Sequence, residues 1–338
     1  MKIIAMHLPQ FHEIPENNEW WGEGFTEWTN LNRENKWGGL EPLFGQYNLL
    51  DKSTMEMQYK LSSEYGVYGF CYYHYYFKGK KLLEKPVENL LKWKDIPQNF
   101  CFCWANHSWK KSWNGTQEIL VKQEYGIQED WEEHFEYLKS FFLDKRYIKV
   151  DNKPMFMIYA PFIEREEVVE FFNKKCIEIG FDGIYIITSY TFKKNQNKYP
   201  VVLREPIVCM ATFIMRLKGK ILRMLSQYIK PKSPKLYNGQ KLMRRSIRVL
   251  KKYKGVHFPC AFSMWNNTYR HGARGYIITP PSKKTFVNYI RAIKNHCTQR
   301  NIEYCFFNAW NEWAEGMVLE PDTVNGYKFL EGVKEALK

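Results

Sequence analysis

Tyr304-Cys305-Phe306-Phe307-Asn308-Ala309-Trp310-Asn311-Glu312-Trp313-Ala314-Glu315-Gly316 begins as a short apolar run and ends in polar and aromatic residues that include two glutamates three apart. An apolar run of this length without alternation reads as a strand buried on both faces, as strands of a parallel sheet are. Carboxylates set among indole rings need a partner or a task, because burying an unpaired charge is costly.

Moving outward, the same pattern recurs. The β-like runs are Lys2–Met6, Val67–Tyr73, Phe100–Trp104, Pro154–Tyr159, Gly183–Thr188, Ile207–Thr212, His257–Met264 and Glu303–Asn308. Amphipathic stretches lie between several of them, at Ser53–Tyr65, Asp130–Leu143, Arg165–Ile179 and Thr285–Gln299. Eight β/α units in a chain of 338 residues predict an α/β fold, a single (β/α)8 TIM barrel over residues 1–338, rather than an open doubly wound sheet. No Gly-x-Gly-x-x-Gly fingerprint follows the first run, which argues against dinucleotide binding.

In such a barrel the connections after the strands share one face, where active sites lie. The unusual residues fall there. The connection after the first strand holds Trp20-Trp21-Gly22-Glu23-Gly24-Phe25-Thr26-Glu27-Trp28, and the one after the third holds Ala105-Asn106-His107-Ser108-Trp109.

Glu312 and Glu315 are the candidate catalytic pair. If the chain turns helical after the last strand, positions i and i+3 share a face. One carboxyl, held protonated among apolar walls, can act as general acid while its neighbour stays ionised. The alternative is an ordinary helix start with acids favoured by the helix dipole. Candidate sugar contacts are His7, Gln10, Glu27, Trp28, Tyr73, His74, Trp104, Asn106, His107, Tyr159, Trp265, Asn266, Trp310, Asn311 and Trp313. The ordinary alternatives are satisfied histidines at strand ends and aromatic core. No His/Asp/Glu set has convincing metal-ligand spacing, so neither metal nor other cofactor is expected.

Aromatic residues make up 17% of the chain, many beside polar residues at the ends of apolar runs, where a pocket uses them. The net charge of +14 is local: residues 214–254 carry 14 Lys and Arg and no acid, and without them basic and acidic residues balance at 36 each. This basic insertion after the sixth strand is partly amphipathic, over Ile214–Leu225 and Leu242–Tyr253, and suits an anionic membrane surface. No nucleic-acid recognition module accompanies the charge, so nucleic acid is not an expected partner. The eight cysteines form no Cys-x-x-Cys pair and read as reduced core thiols. With no secretory leader and no apolar run of membrane-spanning length, the expected location is the cytoplasm, peripheral at the inner face of the plasma membrane.

With these residues in view, the chain resembles the WbsX-type glycosyltransferases of bacterial surface-polysaccharide loci, which are similar to glycoside hydrolase family 99. The matching segments are His7-Leu8-Pro9-Gln10-Phe11-His12, Trp21-Gly22-Glu23-Gly24-Phe25-Thr26-Glu27-Trp28, Gly69-Phe70-Cys71-Tyr72-Tyr73-His74, Cys103-Trp104-Ala105-Asn106, Asp144-Lys145-Arg146-Tyr147-Ile148 and Asn308 to Gly316. The resemblance implies a (β/α)8 barrel without metal or nucleotide cofactor. It implies Glu312 as the base-like residue and Glu315 as the general acid of a retaining reaction in which the substrate's 2-hydroxyl is the internal nucleophile. Two departures stand out: His107 replaces an acid that many relatives carry, and the segment around Leu43–Leu50 is shortened.

The expected function is a carbohydrate-active enzyme that cleaves or transfers at a glycosidic bond in O-antigen or capsule biosynthesis. Its substrate would be a glycan or lipid-linked oligosaccharide. The rival expectation is a non-catalytic glycan-binding or assembly protein tethered to the inner membrane surface.

Overall fold

The computed structural model describes residues 1–32, 35–110, 118–160, 166–189, 198–203 and 231–338. A parallel barrel organises them. Its strands are β1 (Lys2–His7), β2 (Val67–Phe77), β3 (Asn99–Trp104), β4 (Lys153–Ile158), β5 (Tyr185–Ser189), β6 (Val201–Val202), β7 (His257–Phe258 and Cys260–Ala261) and β8 (Tyr304–Phe307). Pro259 interrupts β7 because it has no N–H to give to the ladder. The half of β7 before Pro259 pairs with β6 and the half after it with β8, so the ring closes on this strand. The strand interiors are buried, with Ile3–Met6, Phe100–Cys103 and Met155–Met157 at 0% exposure, as strands covered on both faces must be.

The sixth strand differs from expectation. Val201-Val202 fills that place, and Ile207–Thr212 lies outside the described residues. A ladder of two residues is too short to stand out by hydropathy, although β-branched valines fit it.

The outer layer holds helices α1 (Lys52–Glu64), α2 (Lys85–Lys92), α3 (Gln128–Phe142), α4 (Glu167–Glu178), α5 (Gly239–Lys252), α6 (Lys283–Gln299) and α7 (Lys328–Leu337). Two of them begin on side-chain caps: Asn238 accepts from the Lys241 amide of α5 and Ser282 from the Thr285 amide of α6. Helix α5 packs on α6 through buried Leu242, Met243 and Leu250. The amphipathic run Leu242–Tyr253 is therefore the crossover helix between β6 and β7, with its apolar side already covered. The other run of the basic stretch, Ile214–Leu225, lies outside the described residues.

Arg146 fastens the base of the barrel. Its guanidinium donates to both carboxylate oxygens of Asp144 and to the carbonyls of Leu90, Trp93 and Ile96 at the end of α2. Burial pushes the Asp144 carboxyl up, but the bonds from Arg146 and Lys94 outweigh it and hold the group below the usual carboxylate range. The seven cysteines among the described residues are buried and none of them forms a disulfide.

Candidate active site

After β8 the chain forms a hairpin rather than a helix. Asn311–Glu312 pairs antiparallel with Met317–Val318, and one 3-10 turn, Trp313–Glu315, joins them. Gly316 ends that turn in the left-handed region at φ 54°, where a Cβ would sit 3.0 Å from the Asn266 Cβ. Glycine alone meets both demands. The Trp310 amide donates to the Met6 carbonyl (2.7 Å) and the Ser263 hydroxyl to the Val318 carbonyl (2.6 Å), tying the hairpin to β1 and to the chain after β7.

Beneath the hairpin lies a buried polar network centred on Glu320. Its Oε2 accepts from the Tyr47 hydroxyl (2.8 Å) and the Trp313 indole (3.1 Å), and its Oε1 accepts from Gln58 Nε2 (3.1 Å). Gln58 Oε1 in turn meets His7 Nε2 at 2.9 Å. Asn311 closes the network by donating to the Leu8 carbonyl (3.0 Å) and accepting from the Leu8 amide (2.8 Å). Burial pushes the Glu320 carboxyl up to about 7 despite these donors, and desolvation depresses His7 to about 4.

Above the hairpin opens a cavity of about 810 Å³. Glu312 and Glu315 line it, with Tyr73 and Tyr75 of β2, Trp20 and Trp21 from the connection after β1, and Trp109, His107, Tyr159, Trp265 and Tyr276. Trp109 stacks on Tyr75 with ring centroids 5.2 Å apart and meets Trp20 edge-on at 5.6 Å. Arg270, from the short helix Thr268–His271 after β7, also lines the cavity. It bridges Glu315 (Nη1 to Oε1, 2.8 Å) and Glu27 (Nη2 to Oε1, 2.9 Å). Burial works against the Arg270 charge, but Glu315, Glu27 and Glu312 outweigh it and raise its affinity for the proton. Among the described residues no three His, Cys, Asp or Glu side chains converge as a metal-ligand set.

Of the candidate contacts, Gln10, Tyr73, His107, Tyr159 and Trp265 reach the cavity. The others lie behind its wall. His7 points outward to α1 through Gln58, and His74 outward to α3, where its Nε2 sits 2.8 Å from His134 Nε2. The period-two alternation of a strand explains this: on β2, Tyr73 and Tyr75 face in while His74 and Tyr76 face the helices. Trp104 follows His74 outward, giving its indole N–H to the Tyr76 carbonyl. Asn106 is a loop latch that accepts from the Ala160 amide (2.7 Å). Trp28 donates to the Tyr47 carbonyl, Asn266 accepts from Thr268 and props Gly316, and Glu27 is buried against Arg270. Trp310, Asn311 and Trp313 are fully buried as scaffold, so the indoles near the two glutamates are not the cavity's walls.

Arg270, Tyr75, Tyr276 and His271 escape a sequence reading of the site. Tyr75 had a usable signal, since it lies one period beyond Tyr73. Arg270 had a fainter one: no acid occurs from Pro206 to Ile302, so a cation after β7 must find its partners far away in the chain.

Residues 3–333 match the family model described as glycosyltransferase WbsX. The uncharacterized protein WxcX of Xanthomonas campestris pv. campestris is 29% identical over 355 residues, covering 99% of this chain and 49% of that protein. The chain thus spans about half the length of the curated relatives it matches. Among solved structures, a glycoside hydrolase-like protein superposes with a TM-score of 0.63 at 12% identity, covering 100% of this chain and 94% of the other. The GH99 endo-alpha-mannosidase of Bacteroides thetaiotaomicron superposes with a TM-score of 0.57 at 12% identity, covering 99% and 96%. At that identity the likeness is one of fold.

Proposed function

The chain belongs to the family described as glycosyltransferase WbsX, and from that premise we propose that it breaks or forms a glycosidic bond with Glu312 and Glu315 as its working carboxyls. The observation that carries this reading is the shared cavity. Both glutamates sit on one hairpin at the C-terminal end of the barrel and line a single aromatic-walled space of about 810 Å³. Active sites of such barrels occupy this face, and paired carboxylates are the equipment of glycosidic chemistry. In the proposed reaction Glu315 gives its proton to the glycosidic oxygen as the bond to the anomeric carbon breaks. Glu312, as carboxylate, takes the proton of the attacking hydroxyl. By resemblance to family 99 that hydroxyl is the sugar's own 2-OH in a retaining course. Water or an acceptor sugar then completes hydrolysis or transfer.

The substrate we infer is a free or lipid-linked glycan of surface-polysaccharide assembly. Rings such as Trp20, Trp21, Trp109 and Trp265 offer faces to sugar rings. The exposed cations of α5 support working beside an anionic bilayer.

Glycans and lipid-linked oligosaccharides of the source organism, incubated with the protein and read by mass spectrometry, test this. Glu312→Gln and Glu315→Gln should each lower turnover by about 10²-fold or more while the protein stays folded, the scale expected for a lost general acid or base. Incorporation of ¹⁸O from labelled water marks hydrolysis, and its absence with a lengthened glycan marks transfer. Full turnover in both variants removes the mechanism. Glycan binding without turnover in the wild type favours an assembly protein.

A further inference from the structure

We propose that Glu27, which never reaches the cavity, is a positioning residue that governs the charge and aim of Glu315 through Arg270. Three parts of the chain meet here. Glu27 comes from the connection after β1, Arg270 from the turn after β7, and Glu315 from the hairpin after β8. The guanidinium holds one oxygen of each glutamate, at 2.9 Å and 2.8 Å. Glu27 is fully buried, and its second oxygen, Oε2, is buried without a hydrogen-bond partner. A carboxyl kept in such a place at a desolvation cost has its one evident use in the guanidinium beside it.

The electrostatic consequence has a definite sign. Arg270 alone, against Glu315, would favour the carboxylate strongly and strip a general acid of its proton. Glu27 as a carboxylate offsets that pull, because its negative charge is paired with the same guanidinium and acts across it on Glu315. Among the described residues, Glu312 on the hairpin, Tyr75 on β2 and His271 beside Arg270 also act on the cluster. Burial raises the proton affinity of Glu27, Arg270 opposes that, and Glu315 reinforces it. The two glutamates thus compete for one cation, and the charge of Glu315 makes Glu27 easier to protonate. The bridge also fixes the Glu315 carboxyl from one side while the Gly316 turn fixes its backbone, which leaves Oε2 of Glu315 for a substrate oxygen.

The catalytic consequence rests on the carboxylate-pair reading given above. The electrostatic one does not, and it is measured without substrate. In protein carrying ¹³C-carboxyl glutamate, the Glu315 resonance is the one lost in Glu315→Gln. Its titration midpoint should move to lower pH in Glu27→Gln, by on the order of one unit, the size of shift a newly unshared neighbouring cation produces. Glu27→Met, which leaves no buried amide to satisfy, should act in the same direction and serves if the Gln variant does not fold. Arg270→Gln should move the midpoint the opposite way. On a glycan substrate, the alkaline limb of the pH–rate profile should shift to lower pH in Glu27→Gln. A Glu315 midpoint that stays put or rises in the folded Glu27 variants overturns the proposal. Absence of turnover on any glycan, with the midpoint shifted as expected, removes the enzyme reading and leaves the relay standing.

Discussion

At the residue scale, the informative carboxylates divide into those that line the cavity and those that hold them up from behind its wall. Glu312 and Glu315 line it; Glu320, five residues on, never reaches it. Glu320 accepts from Tyr47, Gln58 and Trp313, and so binds the turn that carries Glu315 to the connection after β1 and to helix α1. Trp313→Phe keeps one aromatic ring but removes the pyrrole half of a fully buried indole, and with it the N–H that serves Glu320 (3.1 Å) and the Tyr47 hydroxyl (3.3 Å). Leaving a buried acceptor short of a donor should cost about 1–3 kcal/mol, read as a lower midpoint in denaturant unfolding at unchanged m-value. An unfolding midpoint equal to the wild type would show that the network does not need this donor. The tryptophans of the motif are legible in the sequence as important but not as to where they point. Composition places an indole near a carboxylate; it does not say on which side of the backbone the ring lies.

At the element scale, helix α5 shows the same division between what is written along the chain and what packing assigns. Its period of apolar residues is plain in the sequence, and burial of Leu242, Met243 and Leu250 against the barrel layer consumes it. What remains for a partner is the opposite face, where Lys241, Arg244, Arg248 and Lys251 are exposed at the spacing of one helical stripe. This face can adhere to an anionic surface but has no apolar side left to insert. Flotation with vesicles of phosphatidylglycerol and phosphatidylethanolamine should therefore recover the protein at low salt and lose it at high salt. The triple variant Arg244→Gln, Arg248→Gln, Lys251→Gln should weaken binding by on the order of 10²-fold, at about 1 kcal/mol per cation. Equal recovery on phosphatidylcholine vesicles, or no loss in the variant, would exclude this face as the contact. Among the described residues no helix is long and apolar enough to cross a membrane.

At the scale of the whole molecule, burial of histidines ties stability to pH. His7, His12 and His74 are depressed to about 4, 4 and 3 by desolvation, and His134, His257 and His296 are lowered too. Two pairs, His74–His134 and His257–His296, hold their ring nitrogens 2.8 and 2.9 Å apart between barrel and helix layer. A base whose folded proton affinity is lowered adds stability above the unfolded value, near 6.5, and loses it as pH falls toward the folded value. Glu320, raised to about 7, and Glu27, also raised by burial, have the opposite slope as pH rises from the ordinary carboxyl value, but with His271 lowered as well they are two groups against seven. The thermal midpoint should fall on going from pH 7 to pH 5, and by more in Glu320→Gln, which lacks the opposing term. A midpoint that is flat or rises over that range would contradict the neutral-histidine packing. The sequence by itself determined the barrel class, because apolar runs buried on both faces admit few other arrangements, although the sixth strand of the structure is Val201–Val202 and not the run it offered, and it placed the paired glutamates directly after the last run, expecting a helical turn where the structure has a hairpin. Only the tertiary structure decided which residues share the cavity. Strand alternation turned His7, His74 and Trp104 outward, and closure of the ring at β7 brought Arg270 against Glu315 and against Glu27, 243 positions away, contacts for which no local pattern exists.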